Sequence, residues 1–231
     1  GTILARGGTY KTAGDGSPGI YSTGRIVVSN GVFEATGSEA AVIEGQNSIA
    51  LVDCTLVGHK LCGAMLYQSF SGDAEGRESH FTMRGGALSA LEGPLFRVTN
   101  AKGIIALTGV KLSAASGILV CANTGRWGHT GSNGGHALLT ADNQMLAGDL
   151  AADDASRIDV SLTKGSTLNG RVQGASVAID ASSTWSLTAD SSVRALSVPE
   201  NRVGPVVARI VGNGHTIRYD ASLAANAWLR G

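Results

Sequence analysis

The sequence is poor in aromatic residues, charge, proline and cysteine, and each shortage excludes something. Phe, Trp and Tyr make up 5% of the 231 residues, so an interior filled from the 43% apolar content must be built of Val, Ile, Leu and Ala in narrow layers. Charged residues are only 16%, below the roughly 25% of an ordinary globular chain. Basic and acidic side chains number 18 each, which leaves no positive field for nucleic acid to follow. No run of about 18 apolar residues occurs, so no membrane insertion is expected. The opening GTILARGGTY has neither the apolar stretch nor the cleavage pattern of a signal peptide. Four prolines beside 33 glycines suggest tight turns rather than a disordered linker. The three cysteines, Cys54, Cys62 and Cys121, form no CxxC pair and show no zinc spacing. Their apolar surroundings read as core, with a Cys54–Cys62 disulfide left open.

What the sequence does contain is an imperfect repeat. RIVVSNGVFEATGSEAAVIEGQN from Arg25 is followed by SIALVDCTLVGHKLCGAMLYQ from Ser48 and HFTMRGGALSALEGPLFRVTNAK from His80. Further copies start at Gly103, His136, Arg157 and Val177. Each holds three short β-type runs separated by Gly, Asn, Ser or Asp, with a period of about 20–24 residues, in the range of solenoids. The runs alternate, as in Ile158, Val160 and Leu162, so one face of each is buried. Asn30-Gly31 has hairpin chemistry, but the run after it matches the second run of every other copy rather than an antiparallel partner. The reading is an all-β, right-handed parallel β-helix with three strands per coil and eight or nine coils. An antiparallel sandwich is the structural rival. Residues 1–231 form one domain in this reading, with insertion loops at 68–79 and 123–135 and a terminal segment at 209–231, whose Asn213-Gly214 pair turns two strands.

The segments GDGSPGIYSTG, ATGSEAAVIEG, YQSFSGDAEG, GPLFRVTN, RWGHTGSNGG and IVGNGHTIRYDASLAAN resemble a β-helix repeat family of large secreted or surface proteins of bacteria, of adhesin-like and pectin-lyase-like type. The resemblance spans nearly the whole chain. It implies a fold and an extracellular or cell-surface location, not a reaction, and it carries over no catalytic residue.

Both insertions follow a third strand, with one uninterrupted coil between them, so their roots should stand two strand spacings, about 10 Å, apart on one edge. Loops on a rigid scaffold are where binding and catalysis concentrate. For polysaccharide or surface-glycan binding the candidates are Tyr67 and Trp127 as sugar platforms, with Asp73, Arg126, His129 and Asn133 around them; the competing reading makes Trp127 an anchor for its own loop. For calcium or another divalent metal they are His129, His136, Asp73 and Glu75, although no known ligand spacing is present and a solvated polar loop explains them as well. For a polysaccharide lyase or glycoside hydrolase they are Asp73, Glu75, Glu44 and Arg97, with Glu92 a further carboxylate. That alternative needs a base or two carboxylates flanking the scissile bond, and it rests on fold analogy. No cofactor is required by the leading reading, a structural and binding module. End-to-end self-association is expected if the terminal coils are uncapped.

Overall fold

The computed structural model describes residues 1–70, 78–199, 202–203, 206–207 and 209–230. Its strands stack in three columns. The first column runs Thr2–Arg6, Arg25–Ser29, Ser48–Val52, Glu78–Arg84, Lys102–Thr108, His136–Asp142, Arg157–Thr163 and the second half of Val172–Ile179, each parallel to the next. The third column runs Ile20–Ser22, Ala41–Glu44, Ala64–Tyr67, Phe96–Thr99, Ile118–Ala122, Asp149–Ala152 and the first half of Val172–Ile179. That last strand rounds the corner unbroken and so joins the first and third columns into one sheet. The second column is in two pieces, one from Thr9–Thr12 to Lys111–Ala114 and one from Met145–Ala147 to Ile210–Val211. Since a strand pairs with the strand one turn of chain later, nearly every ladder is parallel and long-range in sequence. The one antiparallel pair among the described residues is Arg202–Val203 with Val206–Val207. The arrangement fits a parallel β-solenoid, and the sandwich alternative falls.

Alternation builds the core. Ile26, Ile49, Phe81, Ile105, Leu139, Val160 and Val177 lie in register as one inward row of the first column, and all are buried. Ile20, Ala41, Ala64, Phe96, Val120, Leu150 and Val172 form the matching row of the third column. Leu146, Leu168, Trp185 and Ile210 stack in the second. Large layers stack on small ones: Phe81 and Phe96 meet edge to face at 5.4 Å within one layer, and the strands before Phe96 in its row carry Ala64 and Ala41.

The bend from the first column to the second places a residue in the left-handed region in seven turns, Gly7, Asn30, Asp53, Gly85, Gly109, Asn143 and Lys164, and in three of them a second follows, Gly8, Gly86 and Gly165. Gly7, Asn30, Asp53, Gly85 and Asn143 donate their backbone N–H to the next turn, as from Asn30 to Val52 O and from Asp53 to Arg84 O, while Lys164 N donates to the Asp180 carboxylate. Gly, Asn and Asp tolerate this conformation best, which explains their recurrence there. Asn30-Gly31 is therefore a corner and not a hairpin. Behind this corner Cys54 is buried and reduced, its sulfur near Gly31 N and Val28 O; Cys62 and Cys121 are also free, so the Cys54–Cys62 disulfide is absent.

The register corrects the expected repeat starts. Ser48 pairs with Arg25 and with His80 as expected. His80, however, faces Ile104 rather than Gly103, and His136 faces Lys102. Val177 lies opposite Val160, not Arg157. A one-residue slip would exchange inward and outward rows; Gly103 and Ala137 are inward, which fixes the observed pairing. Glu78 and Ser79 also belong to the strand Glu78–Arg84 and not to the first insertion.

At the C-terminal end a 3-10 helix, Ala224–Arg230, closes the stack. Asn226 is fully buried there. Its side chain accepts from Leu196 N and donates to Arg194 O and Asp220 O, while Trp228 Nε1 donates to Leu196 O. These groups satisfy an edge that would otherwise await another coil. The expected terminal segment is thus two things: Ile210–Val211 and Ile217–Tyr219 extend the columns, and the helix caps them. Asn213 and Gly214, both at positive φ, turn the chain between columns.

Candidate functional site: a cleft beneath an arch

Outward positions of the third column form a row of Tyr21, Val42, Met65, Arg97, Cys121 and Ala151. One step along the strands, Glu44, Tyr67 and Thr99 form a second outward row. Alternation alone would leave both rows in solvent. The second insertion folds back over them as an arch and covers part of each. Gly125 passes so close to Thr99 that a Cβ there would stand 2.7 Å from its hydroxyl oxygen. Asn133 staples the arch to itself, donating from Nδ2 to Gly125 O at 2.7 Å and to Trp127 O at 2.9 Å. Its root is tied to the next turn, where Asp153 accepts from the backbone and hydroxyl of Thr124 at 2.7 and 3.0 Å.

The two insertions touch. Phe70, at the start of the first, meets Trp127 at 5.9 Å edge to face, and Trp127 lies tilted over Tyr67 at 5.8 Å. Of the two candidate platforms Tyr67 is not open to a ligand: it is 8% exposed because Trp127 roofs it. Trp127 keeps part of its ring open. The Arg126 guanidinium carbon lies 4.4 Å from that ring's centroid, a cation–π contact.

Between the arch and the far corner of the third column runs a cleft of about 380 Å³. Met65 and Arg97 form its floor, Glu39 and Leu61 one wall, and Thr99, Asn123, Arg126 and Trp127 the other. Among the described residues, every buried side-chain polar atom without a partner is gathered at this cleft and the root of its arch: Arg97 Nε, Thr99 Oγ1, Asn123 Oδ1, Gln68 Oε1, Asn100 Oδ1 and Asn133 Oδ1. An unpaired buried polar atom costs about 1–3 kcal/mol. Six in one place mark a region that water or a polar ligand completes. The amide orientations of Asn100 and Asn133 are set by the carbonyls to which their Nδ2 atoms donate, so the unpaired atoms are acceptors.

Glu44 sits beside this region, buried, with its carboxylate taking hydroxyl bonds from Tyr21, Tyr67 and Ser69. Burial and the Glu44 carboxylate push the Tyr21 hydroxyl far above its usual pKa, and burial raises that of Tyr67. A carboxylate engaged by three hydroxyls is poorly placed to attack a substrate. Glu92 pairs with Lys60 at 2.5 Å and lines no part of the cleft.

The remaining candidates disperse. His129 is exposed on the arch. His136 lies on the first column, bonded through Nε2 to Asp159 at 2.6 Å. Among the described residues no group of three or more His, Cys, Asp and Glu is placed to hold a metal ion. Asp73 and Glu75 lie outside the described residues. Glu39, Met65, Thr99 and Asn123 were not singled out as ligand contacts from the sequence; the available signal was their place at outward or strand-end positions flanking a long insertion.

The fold and cleft define a class, a parallel β-solenoid with a covered polar cleft on one flank. Comparison with protein-family models, with curated proteins and with solved structures finds no match to this chain. No helix among the described residues is long and apolar enough to cross a membrane.

Proposed function

We propose that the chain is a binding module of a bacterial secreted or cell-surface protein, a right-handed coil of eight or nine turns that holds a glycan in the arch cleft. The observation that carries this reading is the half-open Trp127 ring, bearing Arg126, at the mouth of a cleft whose inner wall is rich in unpaired polar atoms. An aromatic face takes the apolar side of a sugar ring, while side-chain amides, hydroxyls and guanidinium groups take its hydroxyls.

The test is binding of the whole chain to a panel of plant and microbial polysaccharides by isothermal titration calorimetry. Trp127→Ala should weaken the best binder at least tenfold while leaving the melting temperature near that of the parent; unchanged affinity would remove the reading. The same panel assayed for new reducing or unsaturated ends tests the alternative, a lyase or glycoside hydrolase. Cleavage lost with Arg97→Gln or Glu44→Gln would replace the binding module by that enzyme.

A further inference from the structure

We propose that the arch cleft selects glycans bearing a negative charge, a carboxylate or a sulfate ester, with Arg97 as the anion's principal contact and Arg126 as the second arm. This rests on the glycan-binding reading and adds to it the chemistry of the ligand.

On the outer faces of the coil, some basic side chains pair with carboxylates, as Lys102 does with Glu78 at 2.8 Å, Arg157 with Asp159 at 2.7 Å and Lys164 with Asp142 at 2.7 Å, while Arg6, Arg25, Arg84 and Lys111 pair with none among the described residues but stand exposed in water. Arg97 does neither. It is only partly exposed, its Nε is buried without a partner, and it takes part in no ion pair among the described residues. A guanidinium drawn out of water without a counter-charge is costly, and no carboxylate of the described residues closes an ion pair with it. Glu39, the carboxylate of the opposite wall, accepts the Ser38 hydroxyl at 2.5 Å and forms no ion pair with Arg97.

Arg126 is exposed, stands over the Trp127 ring and likewise has no carboxylate partner among the described residues. Two guanidinium groups against one carboxylate leave the described cleft net positive. The planar fork of arginine matches a carboxylate or sulfate with two parallel hydrogen bonds. A sugar ring against Trp127 would carry its acidic substituent toward the Arg97 floor, while Asn123 Oδ1 and Thr99 Oγ1 offer acceptors for neighbouring hydroxyls. The cleft volume lies within the roughly 300–1,000 Å³ of small-ligand sites.

The test compares three polymers on one backbone, dextran, carboxymethyl dextran and dextran sulfate, for binding to the full chain by calorimetry. The panel of the preceding section runs alongside. At least one charged polymer should bind ten or more times tighter than dextran. Arg97→Gln should remove most of that difference, and Arg97→Lys should recover only part of it. Arg126→Gln, an exposed change, should reduce it several-fold. Arg84→Gln, on the first column and equal in charge change, should leave it within twofold. Preference for carboxylate or for sulfate alone supports the proposal and names the group. Equal binding of charged and neutral polymers overturns it while sparing the glycan reading. Equal losses in Arg84→Gln and Arg97→Gln overturn it as well, since attraction is then diffuse. Failure of every polymer, panel included, removes both.

Discussion

Asn133 shows how one side chain sets the shape of the site. Its two donor bonds hold Gly125 and Trp127 in the arch, so Asn133→Ala should cost about 1–3 kcal/mol by the worth of buried bonds. A urea melt checks this, and amide exchange in 124–132 should quicken. Gly86 makes the opposite point. At φ +72 its missing Cβ faces the Cys54 carbonyl, so Gly86→Ala meets both backbone strain and a collision with main chain. It should destabilise more than Leu88→Ala, itself expected to cost about 2–5 kcal/mol, and thermal melting of the two variants tests the order. At this scale the sequence was legible where alternation decides burial and illegible where covering decides it. Tyr67 occupies an outward position and reads as exposed; only Trp127, sixty residues away in the chain, buries it. Asn133 read as a ligand contact for the same reason, because nothing local shows which backbone carbonyls its amide will meet.

At the scale of elements, arch and coil are separable. The uninterrupted corner at Asn100–Ala101, between the strands Phe96–Thr99 and Lys102–Thr108, shows that the scaffold needs no insertion there. Replacing residues 124–134 by a short Asn-containing corner should therefore keep the circular dichroism and most of the stability while abolishing glycan binding. Loss of folding instead would show that the arch is part of the core. The insertions were visible in the sequence because they interrupt a regular alternation. The finer register was not, since a run such as Lys102–Thr108 alternates along its whole length and offers two frames until Gly103 is seen to face inward. The capping helix was missed because AANAWLR carries no β alternation and is too short for a helical one; its decisive residue, Asn226, looks like any polar surface residue until the edge it satisfies is in view.

For the molecule as a whole, stacked turns behave as a chain of neighbours whose stabilities add and can open locally. Asn226→Ala should speed amide exchange in the strand Ser191–Ser197 and leave Ser48–Val52 unchanged. Acid should act along the entire stack. The carboxyl of Asp180 is held well below its usual range, chiefly by the Lys164 backbone N–H and against some burial, with Ser183 and Ser182 adding to the effect; that of Asp190 is lowered first by the Thr216 N–H. Burial raises Asp159, but bonds from Arg157, His136 and Ser176 outweigh it and leave it lowered. A lowered folded value means the unfolded chain binds protons first. These groups therefore stabilise the fold above the ordinary aspartate value of 3.8, and their contribution drains away as the pH falls through that value toward the folded ones. Melting temperature should be nearly level from neutral pH to about pH 5 and then drop steadily; a flat profile down to about pH 2 would show that their bonds do not persist in solution.

The column of left-handed corner residues bears on how such a chain can change in length. Seven turns pass that corner through a left-handed residue, so the register survives only if material is gained or lost in complete circuits. A duplicated circuit slots between its neighbours and finds a ladder on each side, whereas a fragment of one is extruded as a bulge at an edge. The arch is such an extruded segment: the chain leaves the stack after the strand Ile118–Ala122 and regains register at His136, opposite Lys102.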